Sequence, residues 1–219
     1  MAGEKIAVLG GTGGLGGGLA MRFADAGYHV IVGSRAEEKA VNSAAELHAA
    51  KPARRVEGHA NPTAAKLADI VILTVPFENQ RATLESVLEA SAGKIIIDAT
   101  VCLKPPKVGT VQIPAEGSAG MIAQAIVGTR ARLVSAFQNV AADVLQSDEE
   151  IDCDVLVTGN DKEACKTVVE LIGAIGARGY YAGPIENSVA TEGLTSLLIQ
   201  INRQFKCHAG IRITGTEGH

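Results

Sequence analysis

The chain has 219 residues, 47% of them hydrophobic and 20% charged, with a formal net charge of −4. That is enough apolar material for one α/β domain with a small appendage. Aromatic residues make up 3% and tryptophan is absent, so neither a basic footprint nor a stacking platform marks nucleic acid as a partner.

The first predicted element is a strand over residues 6–9, a four-residue apolar run that is too short for a signal-peptide core. It runs into Gly10-Gly11-Thr12-Gly13-Gly14-Leu15-Gly16 and then a helix, on which Leu15, Leu19, Ala20 and Phe23 recur at helical spacing. Only Gly11, Gly13 and Gly16 satisfy the dinucleotide fingerprint G-x-G-x-x-G. Gly11 permits the tight turn, Gly13 lets the backbone approach a pyrophosphate, and Gly16 lets helix and sheet pack closely. The pyrophosphate would then sit on the N–H groups that open the helix.

A second buried strand is expected over residues 28–33, ending at Ser34-Arg35-Ala36-Glu37-Glu38-Lys39. An NAD site would place an acid near this strand end to bind the ribose hydroxyls; Ser34 and Arg35 stand there instead. A hydroxyl, a guanidinium and the ammonium of Lys39 suit the ribose phosphate of NADP. Ser34 and Glu37 also have the S-x-x-E spacing of a capping box for the next helix.

That helix spans residues 38–50, followed by a short strand at 54–57 and a brief helix from Asn61-Pro62-Thr63 to Leu67. Residues 70–76 form the clearest central strand, uniformly apolar and stopped by Pro76. Its carboxyl end should bring Thr74, Val75, Pro76 and Phe77 to the cofactor, because ligands lie beyond the carboxyl ends of strands in open α/β sheets. Next come a helix over 82–90, a strand over 94–98 and a proline-stiffened loop. In that loop Val101 is placed to touch nicotinamide, and Lys104 and Lys107 read first as solvated charges and second as contacts for an anionic second ligand.

Residues 118–127 read as helix and 133–137 as a sixth strand leading into Gln138-Asn139-Val140-Ala141-Ala142. This alternation predicts a doubly wound parallel Rossmann-type sheet with a small C-terminal α/β domain. The acidic run Asp148-Glu149-Glu150 suits equally a solvated charged turn and a seam between domains at 1–150 and 151–219. Beyond it are expected a strand over 155–158, a helix over 161–175 and a strand over 178–182. A long helix over 187–206, a last strand over 211–214 and a frayed tail over 215–219 complete the chain. The most apolar helical stretch, 194–201, falls short of a membrane span. Cys102, Cys153, Cys165 and Cys207 show no metal-site spacing and read as four buried thiols of a cytoplasmic protein.

Reduction of a carbonyl or imine needs a proton donor beside the hydride acceptor. No Y-x-x-x-K pair is present, and the long C-terminal helix has no lysine until Lys206. His29, His48 and His219 read as structural or exposed, leaving His59 and His208 as possible site residues. A ring-to-ring hydride transfer needs no such donor, since the cofactors carry the chemistry and the protein orients them.

The glycine turn, Gly33-Ser34-Arg35-Ala36-Glu37-Glu38-Lys39-Ala40, Leu73-Thr74-Val75-Pro76 and Ser135-Ala136-Phe137 together resemble the coenzyme F420-dependent NADP reductase family. So do Ala182-Gly183-Pro184, Leu194-Thr195 and Gly210-Ile211-Arg212. The resemblance implies direct hydride exchange between NADP(H) and the deazaflavin of F420, with no catalytic side chain and no metal. It implies that Thr12, Gly13, Gly14 and Leu15 bind the pyrophosphate, and that Ser34, Arg35 and Lys39 bind the ribose phosphate. Val75, Val101 and Ala142 would line the nicotinamide. Gln138, Asn139, Val140 and Ala209 would form the deazaflavin crevice between the two domains. Gln138 and Ala141 depart from the family's usual histidine and proline. A flavin, metal, imine or carbonyl reductase, and a non-catalytic NADP sensor, stay open on the dinucleotide motifs. A homodimer is expected because symmetric dimers are the commonest assembly.

Overall fold

In the computed structural model, residues 4–216 are described; His219 and the end of the expected frayed tail lie outside them. Strands β1 (Lys5–Leu9), β2 (His29–Ser34), β3 (Arg55–Ala60), β4 (Ile70–Leu73), β5 (Ile95–Asp98) and β6 (Arg132–Ser135) run parallel, and β7 (Asp154–Gly159) and β8 (Arg178–Tyr181) extend the same sheet. The order is β3-β2-β1-β4-β5-β6-β7-β8. The chain therefore reverses its winding between β1 and β4, and this switch point opens a crevice at the carboxyl edge.

The central strands are apolar runs because both faces are covered. Ile6 and Val8 of β1 join Ile70 and Ile72 of β4 in the core on one face. Ala7, Leu9, Val71 and Leu73 join the core on the other. One cluster reaches across the whole sheet, from Ile6 and Phe23 to Val155, Val157 and Val168.

The connecting helices are α1 (Gly14–Asp25), α2 (Glu37–Ala50), α3 (Asn61–Leu67), α4 (Phe77–Val87), α5 (Ala119–Val127) and α6 (Ala142–Gln146), followed by α7 (Lys162–Ala174) and α8 (Ser188–Phe205). Four expectations are corrected. Helix α4 begins directly after Pro76, whose ring presets the entry into the helix, and not at residue 82. The short helix α6 was not foreseen. The strand expected over 211–214 does not form, because the Ile213 N–H donates to the buried Asp154 carboxylate at 2.5 Å instead of to a ladder. Cys102, Cys153 and Cys165 are buried, but Cys207 is exposed, since it follows the last turn of α8.

The joint between β6 and β7 is antiparallel, with Val134 opposite Gly159 and Ser135 opposite Thr158. This register leaves the first four residues of β7 beyond the last pair, an overhang of about 13 Å past the carboxyl edge of β6.

Candidate functional site

The glycine turn lies at the switch point between β1 and β4. Gly10 has φ +85°, and the Gly11 N–H donates to Val8 O at 3.2 Å. A Cβ on Gly11 would meet Val8 O at 2.8 Å, and one on Gly16 would collide with Thr74 Oγ1 and Gly10 O. Thr74 belongs to the same joint, donating through its N–H and its hydroxyl to Leu9 O, both at 2.9 Å. Gly13 differs: a Cβ there would touch only Gly10 O, at 3.4 Å. Gly13, Thr12 and Gly14 are exposed, and Leu15 turns back onto the core.

A cavity of about 280 Å³ opens beside this turn, lined among others by Thr12, Gly13, Ser34, Arg35, Lys39 and Asn61. Val75 and Pro76 line it as well. Ser34 does not cap α2; its Oγ accepts from Ala36 N at 3.3 Å in a local turn, and the helix starts without a side-chain cap. The expected capping box is therefore absent, which leaves the Ser34 hydroxyl facing the cavity. Arg35 and Lys39 are exposed and, among the described residues, neither pairs with a carboxylate. Arg35 Nη1 donates to Asn79 Oδ1 at 3.3 Å, which holds the guanidinium over the cavity. A hydroxyl and two free cations around a concave surface make a corner for a phosphate dianion.

Further along the carboxyl edge, β6 ends in the turn Phe137 to Val140. Phe137 has φ +74°, a left-handed conformation that costs a non-glycine residue about 1–3 kcal/mol. Several bonds hold it. Gln138 Nε2 donates to Asp98 O and Ser135 Oγ, at 2.9 and 2.8 Å. Asn139 Nδ2 donates to Thr191 O and Thr195 Oγ1, and Thr195 Oγ1 donates to Gln138 O. The amide groups of Gln138 and Asn139 thus point into the protein, both residues being buried, as is Val140. What the turn can offer a ligand is main chain.

Behind it, α8 docks through a polar face. Ser188 Oγ meets Ser118 Oγ at 2.6 Å, and the Glu192 carboxylate accepts from Ala119 N and Gly120 N at the start of α5, both at 2.9 Å. Burial pushes the Glu192 carboxyl up to about 7 against the opposing effect of these N–H donors. Asp98, fully buried under Gln80 and Thr100, is also raised by desolvation. Val101 and Cys102 pack beside Glu192 around a narrow cleft.

Ala142 opens α6 next to Gly14, where a Cβ would come 3.5 Å from its own. His208 lies 3.6 Å from Asp143 through Nδ1, and Ala209 N donates to Asn202 Oδ1 at 2.7 Å. The C-terminal segment therefore meets α6 near Ala142. His59 lies apart, between Glu37 and Glu57 on β3. Lys104 and Lys107 are exposed on their loop. Among the described residues no group of histidine, cysteine and carboxylate side chains is placed to hold a metal, and no helix is long and apolar enough to cross a membrane.

Residues 5–102 match the family model described as NADP oxidoreductase, coenzyme F420-dependent. The chain is 41% identical to the F420-dependent NADP reductase of Methanothermobacter thermautotrophicus, covering 96% of this chain and 94% of the relative. It is 40% identical to the protein of the same name from Methanocaldococcus jannaschii, over 97% and 99%. Among solved structures, a hypothetical protein from Sinorhizobium meliloti aligns with TM-score 0.65 at 24% identity over 88% of both chains. A reductive aminase from Aspergillus terreus aligns with TM-score 0.63 at 21% identity, over 93% of this chain and 62% of the enzyme. The two structural likenesses speak to the fold alone.

Proposed function

The chain belongs to the coenzyme F420-dependent NADP oxidoreductase family, and from that membership we propose that it transfers a hydride between NADP(H) and the deazaflavin ring of coenzyme F420. The observation that carries the reading is the cavity at the switch point, where an unobstructed Gly13 faces a corner made by Ser34, Arg35 and Lys39. When bound, the dinucleotide supplies the hydride.

The protein's part is binding and orientation. Thr12, Gly13, Gly14 and Leu15 receive the pyrophosphate on main-chain N–H groups, and Ser34, Arg35 and Lys39 receive the ribose phosphate. Val75, Val101 and Ala142 shape the nicotinamide side. The second substrate lies against Gln138, Asn139, Val140 and Ala209. The inward-facing amides of the first two leave the main chain to meet it and keep water-exchangeable groups away from the ring. Neither side chain is a proton donor, which accords with a transfer between two ring systems.

We assign residues 1–150 to nucleotide binding and 151–219 to closing the deazaflavin crevice; the overhang of β7 and the polar dock of α8 support that division. The free cysteines favour a reducing compartment such as the cytoplasm. Leu197, Ile201 and Phe205 form an exposed apolar stripe at four-residue spacing on α8, which supports a homodimer.

The test is anaerobic mixing of the protein with NADPH and oxidised F420, with FMN as control. Bleaching of the deazaflavin alone is expected; bleaching of FMN instead would move the protein to the flavin reductases. In the same assay Arg35→Ala should raise the Kd for NADPH about tenfold or more and leave NADH nearly unchanged, because only the former brings the phosphate. An equal loss for both would remove Arg35 from this role.

A further inference from the structure

Asn61 follows the last residue of β3 and is the first residue of α3, immediately before Pro62, with Ala60 in the capping position. Its side chain makes no bond at the helix start, which has no side-chain cap. The residue is only 5% exposed, and its Oδ1 is buried with no hydrogen-bond partner among the described residues. A buried acceptor left in that state destabilises the free protein.

The surroundings accommodate this group at some cost. Gly33, on the adjacent strand, leaves the space it occupies: a Cβ there would come 2.6 Å from Leu9 Cδ2 and 2.9 Å from Asn61 Oδ1. Ser34 pairs with Ala60 across β2 and β3, so Asn61 is one residue beyond the partner of the hydroxyl in the phosphate corner. Both side chains line the same cavity, with Arg35 and Lys39.

A carboxamide offers an acceptor and two donors at once. Here the acceptor is turned inward against Gly33 with no exposed surface, so what the side chain can present to the cavity is the pair of donors on Nδ2. We propose that Asn61 is a specificity-determining residue for the phosphorylated ribose of the nucleotide, donating from Nδ2 to its 2′-phosphate. This rests on reading the cavity as an NADP site, and it adds to Ser34, Arg35 and Lys39 a neutral donor for the same phosphate.

Asn61→Asp keeps the shape and the acceptor, removes the donors and sets a carboxylate against the phosphate. The Kd for NADPH and for 2′,5′-ADP should rise at least tenfold, while that for NADH, whose ribose presents two hydroxyls to the carboxylate, should stay within about threefold. Asn61→Ala should weaken NADPH about fivefold without lowering the thermal midpoint of the free protein, since it deletes an unpartnered polar group. A structural asparagine would do the reverse, losing stability and leaving affinity intact. That result, or an equal effect of Asn61→Asp on both dinucleotides, would overturn the assignment. Wild-type protein that fails to bind NADPH would instead overturn the reading of the cavity itself, and Asn61 with it.

Discussion

Gly13 and Gly16 belong to one short turn, yet different partners require them. Gly16 is pressed against Thr74 and Gly10, so its missing side chain serves the fold. Gly13, with φ −92° and ψ 172°, has a backbone that any residue adopts, and a side chain there would meet little protein. Its missing side chain serves whatever docks on the turn. Gly13→Val should therefore retain the wild-type thermal midpoint within about 2 °C and lose NADPH binding by a hundredfold or more, measured by fluorescence titration. A retained affinity would mean that the pyrophosphate does not approach here. This register was legible in the sequence because one spacing of glycines satisfied a strand, a turn and a helix together. The direction of Gln138 and Asn139 was not legible. Whether those amides face a ligand or the interior depends, for Gln138, on Asp98 O at the end of β5 and, for Asn139, on Thr191 and Thr195, more than fifty positions away on α8.

Among the elements, α6 shows how a short helix can hold a longer one in place. It lies on α1 where Gly18 leaves no room for a side chain, Leu145 Cβ being 2.6 Å from where a Cβ would stand. Gln146 Nε2 donates to Gly14 O at 2.8 Å. From the other side Arg22 of α1 gathers four carbonyls: Nε donates to Leu145 O, and Nη2 donates to Val144, Ser147 and Glu149 O, at 2.6 to 3.1 Å. Arg22→Ala should cost about 2 kcal/mol and lower the thermal midpoint by about 5 °C. It should also weaken NADPH, because α6 supports the turn at Gly14; calorimetry and titration of one preparation would check both. A helix of five residues is too short to show a 3.6-residue period, so α6 left no trace in the hydrophobic pattern. The false strand over 211–214 has the opposite origin. Its alternation is that of a strand, but the N–H of Ile213 is taken by a carboxylate that the local pattern does not reveal.

At the scale of the molecule, α8 is joined to the start of α5 through Glu192, and that joint titrates. Glu192 has a folded-state carboxyl raised from the ordinary 4.5 to about 7, chiefly by burial. Between those values the folded protein holds a proton that the unfolded chain has released, so stability falls as pH rises from 4.5 to 7. The loss is on the order of 3 kcal/mol for this one group, and Asp98, raised in the same direction, adds to it. Glu192→Gln should flatten the wild-type decline in thermal midpoint between pH 5 and pH 8; parallel curves for the two proteins would show that the carboxyl titrates elsewhere. The doubly wound parallel arrangement was legible from the apolar runs of the strands and the helices between them. The reversed direction of β7 was not, because a buried strand carries the same composition whichever way it runs.

That reversal has a consequence for the last segment of the chain. Because the first residues of β7 project past Ser135, Asp154 lies beyond the end of β6 and meets residues 211–213 instead: its N–H donates to Ile211 O at 2.8 Å, and its carboxylate accepts from Ile213 N. The orientation of a single strand thus decides where the segment after α8 is moored.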